Sequence, residues 1–517
     1  MGNGAGNAAN WFVDRHVVEN RQAHAAFVEI DGAGRSLSYG DLADQSSRLV
    51  GLLDRHGVRR EERAIMLVLD QVEFPVIFWG CLKAGVVPVP LSTLLATPVY
   101  QSIFEDARAT TLFVSAALLP LVSPFLAELP ALEHVFVIGD AADATPGALD
   151  FTQALAASDA GACVSASSDE TAFWLYSSGS TGRPKGVRHL HGSLRATADT
   201  YGRDVLGIAP DDRVYSAAKL FFAYGLGNAM TFPMSVGATS YLLAGRPTPD
   251  GVIAALRAHE PSVFCGVPTL YAGLLSTLDQ RGESLPAMRC CISAGEALPA
   301  EIGRRWQSLV GTDILDGVGS TEMLHIFLSN RPGRVDYGAS GEAVPGYALR
   351  LVDEDGGDVA DGEIGELLVD GPSASEGYWN LRDKNRSTFE GRWTRTGDKY
   401  QRDGDRLVYC GRADDLFKVG GIWVSPFEVE QALISHAAVL ECAVVAARDD
   451  EQLEKPKAFV VLEPGQQGDQ AMVDDLKAHV QQSVGKWKYP RWVAFVDELP
   501  KTPTGKIQRF KLRDADA

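Results

Sequence analysis

The chain has 517 residues, 45% hydrophobic and 22% charged, a globular balance in a chain too long for one ordinary core, so at least two domains are expected. With 48 Lys+Arg against 67 Asp+Glu the formal net charge is −19, which excludes a general basic footprint for nucleic acid. An anion must then be met locally, by backbone N–H groups, a few cations or a metal ion.

The purest apolar region, Pro75 to Leu91, is broken by Lys83, Gly80, Gly85 and prolines, so neither a membrane span nor a membrane partner is expected. Met1 to Asn20 lacks an apolar signal core, and Gly6 stands where a myristoylation pattern needs Ser or Thr. The seven cysteines are scattered without a CxxC pair, which predicts reduced thiols and a cytoplasmic protein.

Along the chain, Ser38-Tyr39-Gly40-Asp41 predicts a capping box, followed by Leu42, Leu49, Val50 and Leu53 at helical spacing. Ala64 to Leu69 predicts a buried strand, Phe74 to Ala84 a helix and Val86 to Pro90 the next strand. This alternation predicts βαβ units around a largely parallel sheet. Gly139 to Thr171, rich in Ala, Asp, Ser and Gly, predicts a long irregular lead-in to a strand at Ala172 to Tyr176. Between residues 403 and 415 a charged, Gly-containing stretch marks a domain boundary close to Asp414. Beyond it, strands at Glu441 to Ala447 and Lys457 to Leu462 and a helix at Met472 to Val484 predict a compact α+β unit.

The sharpest motif is Tyr176-Ser177-Ser178-Gly179-Ser180-Thr181-Gly182-Arg183-Pro184-Lys185-Gly186, directly after a strand. Glycines let the backbone approach an anion, hydroxyls and N–H groups wrap its oxygens, and Lys185 supplies a charge. It is not a Walker A loop, because Arg183 and Pro184 separate Lys185 from Gly182. The competing use is a flexible Ser/Gly loop.

This loop resembles the signature of the adenylate-forming superfamily, which includes acyl-CoA synthetases, luciferases and peptide-synthetase adenylation domains. Further segments match in the family's order over nearly the whole chain: Ser293 to Pro299, Asp316-Gly317-Val318-Gly319-Ser320-Thr321-Glu322, Thr396-Gly397-Asp398, Gly411 to Asp415, Lys418 to Gly421 and Pro503-Thr504-Gly505-Lys506. The resemblance implies an α/β fold. A large N-terminal domain of sheet-and-helix subdomains would span 1–411, with a hinge at 412–415 about Asp414. A small mobile α+β lid would span 416–517. It also implies two half-reactions. A carboxylate attacks the α-phosphorus of ATP and expels pyrophosphate; a thiol then attacks the acyl-adenylate and releases AMP.

Roles follow from the resemblance residue by residue. Lys506 would contact the carboxylate and α-phosphate. Glu322 would hold Mg²⁺, an ion suited to carboxylate and phosphate oxygens, and Thr321 would bond a phosphate oxygen. A Thr-Glu pair is also a common helix N-cap, and both uses can coincide at one helix start. Ser177, Ser178, Gly179, Ser180, Thr181 and Lys185 would hold ATP phosphates. Asp398 would accept the ribose hydroxyls with Arg412 nearby, although an aspartate after Gly397 also suits a plain turn. Gly295, Glu296 and Ala297 would flank the adenine with Asp316, Gly317 and Val318. Gly420 and Gly421 would meet the coenzyme A thiol, with Phe222 as an aromatic gate to its tunnel.

Leu220 to Asn228 falls where the family selects its acid. Arg213 to Pro249 contains no Asp or Glu, which disfavours an amino acid's ammonium group. Acetate-type members close the pocket with a tryptophan where this chain has Gly319. Ala223, Tyr224, Gly295, Val318, Gly319, His325 and Ile326 would form a flat slot, most like that of the benzoate-type CoA ligases. The implied activity is ATP-dependent ligation of a small aromatic carboxylic acid to CoA, by a possible homodimer. The alternatives are a free-standing adenylation enzyme that loads a carrier protein and a non-catalytic nucleotide or acyl-CoA sensor.

Overall fold

The structure is a computed structural model that describes residues 6–140, 145–178, 184–413, 415–419, 422–449, 453–485, 488–501 and 507–514. Gly179, Ser180, Thr181, Asp414, Gly420, Gly421 and Lys506 lie outside the described residues, as does the side chain of Ser178.

The predicted capping box forms. Ser38 Oγ accepts the Asp41 N–H at 3.0 Å, and the Asp41 carboxylate accepts the Ser38 N–H at 3.3 Å. The helix it starts, Tyr39–Arg55, buries Leu42, Leu49, Leu52 and Leu53 and packs on the helix Glu73–Ala84. Around this pair, a parallel sheet runs in the order Val87–Pro90, Arg63–Leu67, Thr111–Ser115, His134–Ile138 and Leu149–Asp150. The strand at Leu149–Asp150 and the helix Phe151–Ala156 lie inside the stretch expected to be irregular. Asp150 caps that helix by accepting the Gln153 N–H at 2.8 Å, and Phe151 and Leu155 are buried. Two apolar anchors and one cap suffice for a helix that the Ala/Asp/Ser composition hides.

A nine-stranded sheet carries the site. Its strands Ala25–Glu29, Thr239–Leu242, Arg213–Ser216, Val263–Gly266, Cys290–Ala294 and Ile314–Gly319 run parallel, and Ile326–Ser329 returns antiparallel. The segments at 217–224, 295–298 and 319–325 therefore leave carboxyl ends of neighbouring strands on one side, where open α/β sheets bind ligands. The hairpin of Thr171–Ser178 with Pro184–Leu190 adds Gly377–Tyr378 as a third strand. A further antiparallel sheet pairs Trp393–Asp403 with Arg406–Arg412, Asp398 opposite Arg412.

After this sheet the chain builds a separate antiparallel and parallel sheet from Val439–Arg448, Glu454–Leu462 and Trp492–Phe495, against the helices Pro426–Ile434 and Gln470–Val484. It meets the rest of the molecule at a few points. The Phe427 ring lies 5.3 Å from the Tyr409 ring, and Gln431 Oε1 accepts the Ala300 N–H at 3.0 Å. All seven cysteines are unpaired and six are buried. No helix among the described residues is long and apolar enough to cross a membrane.

Candidate active site

The hairpin register places Ser177 opposite Lys185, at the two mouths of the glycine loop. Burial lowers the Lys185 pKa, and the nearby Glu322 carboxylate opposes that shift. Its Nζ stands 4.6 Å from the centre of the Tyr378 ring. The Tyr378 hydroxyl donates to Glu322 Oε1 at 2.7 Å. Tyr378 is itself fixed on three sides. It pairs with Val187 in the sheet, and the Asn385 amide takes its N–H at 2.7 Å and donates to its C=O at 2.9 Å.

Thr321 and Glu322 do not start a helix. They form a tight turn in which Ser320 Oγ accepts the Met323 N–H at 3.2 Å and Leu324 adopts a φ of 65°. Between Gly319 and its pairing partner Ile326, residues 321–325 take turn and bend conformations throughout. The Glu322 carbonyl is held instead by the Ser375 N–H at 2.8 Å.

Asp398 and Arg412 meet directly, Arg412 Nη1 donating to Asp398 Oδ1 at 3.0 Å and to the Thr396 carbonyl at 2.7 Å. Asp316 is buried, and burial pushes its carboxyl up to about 8 against backbone N–H bonds from Leu298 and Gly317. Beside it, Ala297, Leu298, Tyr337, Tyr409 and Phe427 line a cavity where the C-terminal unit closes on the sheet. The Glu296 side chain reaches the C-terminal unit, its Oε1 accepting the N–H of Ile507, the residue after Lys506, at 2.8 Å.

The expected slot residues come together at the strand ends. Phe222, Ala223, Tyr224 and Val318 are partly buried, Gly319 is exposed, and His325 and Ile326 are buried at the back. The Tyr224 hydroxyl donates to the carbonyls of Gly266 at 3.1 Å and Ile292 at 3.2 Å, which ties this aromatic to two strands. His325 Nε2 bonds the Tyr224 carbonyl at 3.3 Å, and its ring packs against Tyr224, Tyr201 and Phe232. Burial holds the His325 pKa down to about 3, so the ring is neutral and Nε2 carries the proton donated to that carbonyl. Gly227 makes this contact possible, since a Cβ there would fall 2.3 Å from His325 Cδ2.

Two further histidines follow the loop and are buried. His191 Nδ1 accepts the Ala8 N–H at 3.2 Å, and His189 stacks on Phe173 at 5.0 Å. Lys488 pairs with Glu428 at 2.6 Å. Tyr378 was not singled out by the sequence. It carries no charge, and its link to Glu322 spans 56 positions, so only its place in a strand beside Lys185 reveals it.

The chain belongs to the AMP-binding enzyme family, which matches residues 14–379, and its AMP-binding enzyme C-terminal domain matches residues 428–506. Within that family it is 52% identical to a 4-hydroxybenzoate–CoA/benzoate–CoA ligase of Rhodopseudomonas palustris, over 98% of this chain and 94% of that protein. Among solved structures it superposes on a benzoate CoA ligase from Burkholderia xenovorans with a TM-score of 0.90 at 46% identity, covering 98% of this chain and 99% of that one. It also superposes on an anthranilate CoA ligase in complex with anthranoyl-AMP with a TM-score of 0.94 at 40% identity, covering 99% and 97%.

Proposed function

We propose that this protein is an AMP-forming acid–thiol ligase that joins benzoate or a close aryl carboxylate to coenzyme A through an aryl-adenylate. The observation that carries this is the junction at the strand ends, where Tyr224, packed on the buried His325, and the exposed Gly319 lie next to the cluster of Lys185, Glu322 and Tyr378. The slot takes a flat ring and the cluster takes phosphates.

Lys185 would meet the phosphates of ATP with the loop Ser177, Ser178, Gly179, Ser180 and Thr181, and Thr321 would bond a phosphate oxygen. Glu322 suits a hard divalent cation, because Tyr378 occupies Oε1 and a carboxylate has a second oxygen to offer. Bound Mg²⁺ would neutralise phosphate charge there. Asp398, paired with Arg412, would accept the ribose hydroxyls, and Gly295, Glu296, Ala297, Asp316, Gly317 and Val318 would flank the adenine. The segment 412–415 would act as the hinge of the lid, and Gly420 and Gly421 with Phe222 would line the thiol's approach. The reduced cysteines support a cytoplasmic location.

Replacing Tyr378 with phenylalanine removes the hydroxyl from Glu322 but keeps the ring under Lys185. A hydrogen bond to a carboxylate is worth about 1.5–3 kcal/mol, so the Mg²⁺ concentration for half-maximal activity is expected to rise by about tenfold. The KM for the aryl acid should stay constant; a Mg²⁺ titration at fixed ATP checks both.

A panel of carboxylic acids assayed for AMP release with CoA present tests the whole reading. Benzoate and ring-substituted benzoates are expected to exceed hexanoate, with free aryl-CoA as product. Preference for hexanoate would overturn the slot, and adenylate formation without soluble aryl-CoA would favour a carrier-loading enzyme.

A further inference from the structure

The loop that presents Phe222, Ala223 and Tyr224 belongs to the nine-stranded sheet, yet a residue of the five-stranded sheet holds it. Asp70 follows the strand Arg63–Leu67, and both of its carboxylate oxygens lie 3.2 Å from the backbone N of Leu220. Asp70 is 4% exposed. A buried carboxylate aimed at one backbone N–H from 150 positions away is costly unless it does something there.

Its surroundings are built to keep it in place. On one side the Leu69 N–H is held by Ser115 Oγ at 3.1 Å; on the other the Val72 N–H is held by Glu29 Oε1 at 3.1 Å. Glu29 is in turn paired with Arg35, which also binds Glu73. Lys219, the residue before Leu220, bonds the carbonyls of Leu243 and Gly245, while Asp31 accepts the N–H groups of Ala244 at 3.0 Å and Gly245 at 2.8 Å. Lys219, Asp31 and the buried Tyr215 hydroxyl are the charged and titratable groups that face Asp70 across this junction.

The anchor at Leu220 is transmitted to the slot over a short, rigid path. The Phe222 N–H bonds the Lys219 carbonyl at 3.1 Å, and the Leu226 N–H bonds the Phe222 carbonyl at 2.7 Å. Gly225 lies so close to this backbone that a Cβ would fall 2.0 Å from the Lys219 oxygen. The turn from Lys219 to Leu226 thus links the peptide held by the carboxylate to Tyr224 through direct backbone contacts.

We propose that Asp70 is a positioning residue for aryl-acid recognition, a clamp from the neighbouring subdomain that sets Phe222, Ala223 and Tyr224 against His325. It touches no reacting atom. The proposal rests on the aryl-acid reading of the slot and adds to it a determinant outside the slot itself.

The charge on Asp70 gives the role its own signature. Burial raises the carboxyl to about 6, with Lys219 and the Leu220 N–H opposing that shift and Asp31 adding to it. As the pH falls through this value the carboxylate gains a proton, and the bond to Leu220 loses its charge assistance. The KM for the aryl acid should therefore rise on acidification, while the KM for ATP, whose contacts lie on other elements, should not.

The test is steady-state kinetics of wild type, Asp70→Asn and Asp70→Ala between pH 5.5 and 8, with the acid that wild type uses best. Asp70→Ala is expected to raise the KM for that acid by about tenfold at pH 7.5 with the KM for ATP changed by less than about twofold, as loss of one charged hydrogen bond implies. Asp70→Asn, isosteric and able to accept one N–H, should fall between and should lose the acid limb of the KM profile. Equal changes in both KM values, or an acid limb identical in wild type and Asp70→Asn, would overturn the proposal. Failure of the aryl-acid reading would show separately, in wild type, as a preferred acid without a ring.

Discussion

Replacing Lys506 with alanine is expected to slow adenylate formation by about 10²–10³-fold, the usual loss when one group aimed at developing charge is removed. The conversion of preformed aryl-adenylate to aryl-CoA should stay within a few-fold of wild type. The chemistry separates the two steps. Adenylation drives a carboxylate onto a phosphorus that bears a polyanion, so a cation must stand between the reacting anions. Thiol attack on the mixed anhydride brings no such pair together. Described residues on either side of Lys506 contact the rest of the protein. Ile507 donates its N–H to Glu296 in the cleft at 2.8 Å, and Lys501 pairs with Glu441 at 2.6 Å. Three residues on, Arg509 is held by both oxygens of the buried Glu430, at 2.9 and 2.8 Å, and Glu430 also accepts the Val444 N–H at 2.7 Å. Ile507 thus reaches the large domain, while Lys501 and Arg509 are held by the C-terminal unit. Acid-dependent pyrophosphate release measures the first step, and CoA consumption with supplied benzoyl-AMP measures the second. Near-normal pyrophosphate release by Lys506→Ala would sink the assignment.

Much of this architecture is written in short-range pattern. The capping box at Ser38 and the strand–helix–strand run from Ala64 to Pro90 are local devices, and each forms within a residue or two of its expected place. The two segments proposed for the slot could be named from the sequence because each is contiguous in the chain, Phe222 to Tyr224 and Val318 to Ile326, and the sheet brings Tyr224 and His325 into contact. The turn at Thr321-Glu322 was not, since a Thr-Glu pair suits a helix start equally well. The antiparallel return of Ile326 onto Gly319 decides between them. Tyr378 and Asp70 escaped for a different reason. Each acts through one hydrogen bond to a partner 56 or 150 positions away, and nothing in local composition marks such a pair.

Substituting Gly319 with tryptophan is expected to lower kcat/KM for benzoate by about 10²-fold, because crowding the adjacent backbone and losing shape selection each cost kilocalories. Gly319 is the exposed residue at the slot mouth, opposite Ile326 at a register shift in the hairpin. A Cβ here would fall 2.6 Å from the His325 carbonyl oxygen and 3.0 Å from the Ile326 N. These contacts are with backbone, so they cannot be relieved by a rotamer change. The indole would then extend from the slot mouth toward the ring proposed to lie beside Tyr224. The effect should be graded. Gly319→Ala meets the same backbone contact without filling the slot, so it should cost less for benzoate than Gly319→Trp. Selectivity should move toward short aliphatic acids in the tryptophan variant, and the KM for ATP should be nearly constant, since Lys185, Glu322 and Tyr378 are held by contacts that do not pass through Gly319. Equal loss of benzoate and acetate turnover, with a parallel rise in the KM for ATP, would mean that the hairpin had collapsed and that Gly319 sets no size limit.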